Sequence, residues 1–138
     1  MPSAWGAACL RAAGVDDGAA REVAASLLQT SRWGIDSHGI ARLPHCLNRI
    51  AHGSIRARPN IVVTPTGPCP APVAGDQGLG IVVARRANDA AVQMARTSGI
   101  GAVGVGDSSH CGAVAPVTRS GMSRSAWTWR PPRSRGTG

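Results

Sequence analysis

Apolar residues at Ala20, Val23, Ala24, Leu27 and Leu28 recur at intervals of three and four. That spacing predicts one buried face of an α-helix. Asp16 and Asp17 stand just before the run, where carboxylates cap a helix and meet its positive end, and Gly34 marks its close. Ile40, Leu43, Leu47 and Ile50 predict a second helix, with Ser37 as its cap and Gly53 as its end. Pro44 falls inside that pattern. A proline is awkward within a helix, so the start moves toward Arg42 or the helix breaks there.

Ile61 to Thr64 reads as a short strand, followed by a Pro/Gly-rich connection. Gly75-Asp76-Gln77-Gly78-Leu79-Gly80 reads as a loop. Ala87, Ala90, Ala91, Met94 and Ala95 predict a third helix, closed by Gly99. The run 100–106 has no polar side chain and reads as a strand buried on both faces. Helix, connection and strand in this rhythm predict a mixed α/β fold. In such sheets ligands gather beyond the carboxyl ends of strands, where His110 is placed. Periodicity is lost from Ser123 onward, and residues 123–138 read as a disordered tail.

Composition narrows the picture. With 138 residues, no Phe and no Tyr, the core must be filled mainly by Ala, Val, Leu and Ile, which bury little area each. The net charge is +8 and every cation is Arg, but residues 1–118 carry only +3 and residues 119–138 carry +5. The basic excess therefore belongs to the tail, and the expectation is against nucleic acid as a partner. Cys9, Cys46, Cys69 and Cys111 show no metal-binding or redox spacing, and no run is apolar and long enough to span a bilayer. The expectation is a cytoplasmic protein with reduced thiols, no metal and no membrane partner.

Two stretches carry reactive groups. In Ser37-His38-Gly39-Ile40-Ala41-Arg42 the imidazole and the guanidinium lie about one turn apart. Imidazole moves protons near neutral pH, and guanidinium clamps carboxylates through two parallel bonds. The bland alternative is a capping serine and a surface histidine. In Ser108-Ser109-His110-Cys111-Gly112-Ala113 the small residues let a ligand approach the backbone. Here the alternative is a turn with a structural histidine. Residues 75–80 do not match a dinucleotide fingerprint, and a Cys111–His110 nucleophilic pair lacks a third orienting group.

Taken in order, "GIDSHGIARLP", "GSIRARP", "GDQGLG" and "GIGAVGVGDSSHCGA" resemble the amino-terminal part of the malate/L-lactate dehydrogenase family. That family includes ureidoglycolate and sulfolactate dehydrogenases and a reductase of cyclic imino acids. The resemblance covers about residues 5–122 and implies an incomplete, non-Rossmann NAD(P)-binding fold over 1–122. It implies an NAD(P)-dependent oxidoreductase, with NAD or NADP as cofactor and a 2-keto or 2-hydroxy acid as substrate. It also implies a homodimer. By the same resemblance Ser37 supports His38 in proton donation, Arg42 holds the substrate carboxylate, and His110 sits beside the nicotinamide as a second catalytic candidate. Cys111, Gly112, Ala113 and Val114 then run along the cofactor. Cys111 stands where the family often has Phe, and Cys46 where it often has Tyr. Family chains are more than twice this long, and the change after Met122 resembles a frameshift or truncation. An inactive chain is the expectation, with a non-enzymatic fragment or a basic nucleic-acid binder as alternatives.

Overall fold

The computed structural model describes residues 2–119, so the tail at 123–138 lies outside the described residues. Five helices and three strands follow one another as α1 (Pro2–Ala12), α2 (Asp17–Arg32), α3 (Leu43–Ala51), β1 (Val62–Val63), β2 (Pro70–Gly78), α4 (Gly80–Ser98), β3 (Ala102–Ser108) and α5 (Val114–Arg119). Two single 3-10 turns, Asp36–His38 and Ile40–Arg42, join α2 to α3.

The α2 pattern forms as its spacing predicts. The Asp16 carboxylate accepts the Gly18 and Ala19 N–H groups at 3.0 and 3.4 Å, and Ala20, Val23, Ala24 and Leu27 are buried. Each fully buried Val or Leu contributes about 1.5–3 kcal/mol, so Val23 and Leu27 anchor this helix more than its alanines do. Ser37 does not cap α3. It lies inside the first 3-10 turn, and α3 begins at Leu43 with Pro44 in its first turn, where a missing N–H costs nothing.

The sheet corrects two expectations. The segment read as a Pro/Gly connection and loop is largely β2, the central strand, antiparallel to β1 and parallel to β3. The prolines serve as acceptors only: in the segment just after β1, Thr64 N–H donates to Pro72 O and Thr66 N–H to Pro70 O. The register slips between Ala74 and Gly78, where Asp76 and Gln77 take positive φ. The other correction is β3, which is not buried on both faces. It is an edge strand in which Val103 and Val105 are half-buried while Ala102, Gly104 and Gly106 are exposed. Among the described residues nothing covers that second face.

The β2–α4–β3 unit is a parallel crossover, and α4 serves two cores. Val83 and Ala87 pack on the sheet with Val73, while Ile81 and Ala84 join Leu10, Leu27, Leu43 and Val117 among the helices. The crossover delivers the chain past Ser108 to the carboxyl end of β3, beside the 3-10 turns.

Candidate functional site

The two reactive stretches converge. The rings of His38 and His110 lie 5.3 Å apart between centroids, tilted by 40°. His38 is half-buried, and its Nδ1 lies 2.9 Å from the Ser37 hydroxyl. His110 stands at the exposed rim of the loop after β3, and its Nδ1 accepts the Gly112 N–H at 2.9 Å. A nitrogen that accepts carries no proton, so neutral His110 holds its proton on Nε2. Gly112 makes this tight return possible with φ of +67°.

The loop is fastened at its start. The Ser109 hydroxyl accepts the Gly80 N–H at 2.9 Å, and Ser109 N–H donates to Gly78 O at 3.2 Å. Gly80 has no room for a side chain, since a Cβ there would run into the Ser109 and His110 carbonyl oxygens. Beside this loop opens a narrow cleft of about 20 Å3, whose polar lining is Arg42, His45, Cys46, Arg49, Ser109 and His110. Cations line it and no carboxylate does. Partial burial, then the charges of Arg42, His38 and His45, push the His110 pKa below its ordinary 6.5. Burial pushes the Cys46 thiol above its usual 9.0, and Arg42 and Arg49 offset part of that.

Ser37, His38, Arg42 and His110 are thus brought together; the spacing suggests the Ser37–Arg42 part, and the meeting with His110 is what the resemblance implies. Cys111 packs against the helical core, Gly112 and Ala113 are half-buried in the loop, and Val114 opens α5. Sequence reasoning missed His45 and Arg49 as cleft residues. They lie three and seven positions beyond Arg42, the spacing of one helix face. A wider groove, about 990 Å3 between α2 and α4, lies elsewhere and is crossed by the Arg85 ion pairs with Glu22 and Asp89. No group of three or more His, Cys, Asp or Glu is placed to hold a metal among the described residues, and no described helix is long and apolar enough to cross a membrane.

Comparison with known proteins gives this arrangement a context. The chain is 40% identical over 93 residues to a malate dehydrogenase of Pyrococcus abyssi, covering 67% of this chain and 26% of that protein. It is also 40% identical over 90 residues to an L-sulfolactate dehydrogenase of Methanothermobacter thermautotrophicus, covering 65% and 26%. The solved malate dehydrogenase of Pyrococcus horikoshii superposes with a TM-score of 0.78 at 34% identity, over 80% of this chain and 32% of that one. The chain therefore spans about a quarter to a third of the length of these relatives. The family model described as malate/L-lactate dehydrogenase matches residues 3–126, which takes in both histidine stretches, and the chain belongs to that family.

Proposed function

We propose that the chain carries the proton-handling and carboxylate-binding part of an NAD(P)-dependent oxidoreductase that interconverts 2-hydroxy and 2-keto acids. The observation that carries this reading is the Ser37–His38 pair facing His110 beside Arg42, at the carboxyl end of a parallel strand. The homologous dehydrogenases support an oxidoreductase acting on a hydroxy acid.

In this reading Nε2 of His38 takes the hydroxyl proton of the 2-hydroxy acid, or returns it to the carbonyl oxygen of the 2-keto acid. The Ser37 hydroxyl holds the imidazole by its other nitrogen, which fixes the ring's orientation. Arg42 binds the carboxylate through its guanidinium fork. His110, with its pKa lowered, stays neutral at pH 7 and offers an Nε2–H to the carbonyl oxygen or to the cofactor amide. The 20 Å3 cleft has room for a water and not for a substrate. The reacting carbon therefore sits at its mouth, along the edges of the two rings, whose centroids at 5.3 Å leave no space between them.

The residues fit a nicotinamide. A Cβ built on Gly112 would stand in ordinary contact with Ile81 and the His38 carbonyl oxygen, at 3.7 and 3.8 Å, so a side chain there would fill the space that the proposed nicotinamide needs. His110, Cys111, Gly112, Ala113 and Val114 would line it, Cys111 through its backbone. When bound, the nicotinamide accepts or supplies the hydride. The reading takes NAD or NADP, places the site in a unit of residues 1–122, and includes a cytoplasmic homodimer for the complete family protein.

A chimera tests the reading. Residues 3–119 would replace the matching part of the Pyrococcus horikoshii malate dehydrogenase, and NAD(P)H-dependent reduction of 2-keto acids would be followed at 340 nm. His38→Ala is expected to lower kcat by about 100-fold or more, and Arg42→Ala to raise KM. A folded, active chimera indifferent to His38→Ala would refute it.

A further inference from the structure

We propose that Ser31 is a positioning residue for His38: its hydroxyl, carried on the rigid end of α2, fixes the turn from which the imidazole projects. This rests on His38 being the proton-moving group.

The two 3-10 turns at 36–42 are weakly held by their own sequence. Neither has a side-chain cap of its own, and both are closed by backbone bonds: His38 N–H to Ile35 O and Gly39 N–H to Asp36 O at 3.1 Å, Arg42 N–H to Gly39 O at 3.0 Å, and Leu43 N–H to Ile40 O. Short 3-10 turns have poor hydrogen-bond geometry and are held by their surroundings. The Ile40 N–H opens the second turn and has no acceptor within it, like the first donors of any helix. Ser31 supplies the acceptor from nine residues away, at 2.9 Å and partly buried. The cap of this turn thus comes from a different helix.

The contact is more than one bond. Gly39 is buried against the same serine. A Cβ on Gly39 would collide with the Ser31 hydroxyl and would lie 3.0 and 3.1 Å from the Ser31 nitrogen and Cα. The backbone of the last turn of α2 therefore lies directly against the junction between the two turns. Thr30, the neighbour of Ser31, is 1% exposed, so this end of α2 is seated in the core and cannot follow the loop. His38 precedes the clamped pair Gly39–Ile40, and Arg42 follows it. One hydroxyl sets the position of both side chains relative to His110.

The experiment is nuclear magnetic resonance of the 138-residue chain with 15N-labelled histidine. It reads the His38 ring nitrogens and the cross-peak between the His38 and His110 rings, with a thermal melt in parallel. Ser31→Ala is expected to shift the His38 Nδ1 signal and to remove the cross-peak, and Ser31→Thr, which keeps the hydroxyl, to restore both. If Ser31→Ala does not fold, Ser31→Cys is read instead; its thiol has the same shape and is a weaker acceptor, and the cross-peak should weaken. A merely structural serine would lower the melting temperature and leave the His38 signals in place. Unmoved His38 signals in the folded alanine or cysteine variant, or no recovery in a folded threonine variant, overturn the proposal. A folded, active chimera indifferent to His38→Ala would refute the dehydrogenase reading and leave these signals as they are, so the two failures are separable.

Discussion

Asn88 is the most informative residue to change for stability. It is 1% exposed, and neither its amide nitrogen nor its amide oxygen has a hydrogen-bond partner among the described residues. Its place on α4 is four residues beyond Ala84 and seven beyond Ile81, which puts it on the stripe that packs among the helices. A buried amide without partners costs about 1–3 kcal/mol. Leucine branches at the same carbon and brings two methyl groups where the amide has its two polar atoms. Asn88→Leu should remove that cost and add apolar burial, with part of the gain offset by the larger methyl groups. The net expectation is a stabilisation of about 1–3 kcal/mol, or roughly 4–10 °C in Tm for a folded unit of this size. Thermal and urea melts followed by circular dichroism would measure it. A Leu variant less stable than the parent would show that the amide is satisfied at that depth, and the reasoning would fail.

Two further outcomes follow from the site itself. His110 has a folded pKa below its unfolded 6.5, so the unfolded chain binds more protons and stability rises with pH. The contribution is complete above about pH 6.5 and is lost as pH falls through the lowered value; His110→Gln should flatten urea stability between those limits, and an unchanged profile would refute the shift. Gly80→Ala forces a methyl group into the Ser109 and His110 carbonyls. It should cost about 3 kcal/mol, the upper end for overpacking, with a tolerated alanine as the contrary result.

What the sequence reveals depends on how much side chain each element uses. Val23 and Leu27 announce α2 because large apolar groups mark its face. α1 is overlooked because Leu10 is its single large buried residue, with Ala7 on the same face. β2 is hidden because its buried positions, Ala71, Val73, Gly75 and Gly78, are mostly small and its exposed ones include prolines. The chemistry is more legible: Ser37, His38, Arg42 and His110 stand in two short stretches, and the crossover brings them together. Ser31, His45 and Arg49 are silent in sequence, because their roles arise from where α2 and α3 end up.

The uncovered edge strand sets how the molecule behaves among its own copies. From Ala102 to Gly106, β3 has no charged residue and no proline, and its outer backbone faces no strand among the described residues. Such an edge favours pairing with another edge at short range. The net charge of +8 opposes approach at long range, and 0.1 M salt screens that repulsion beyond about 10 Å. Salt weakens the repulsion and leaves the edge attraction in place. Colloidal stability is therefore greatest in dilute buffer, and each step up in ionic strength lowers the concentration at which the chain stays dispersed.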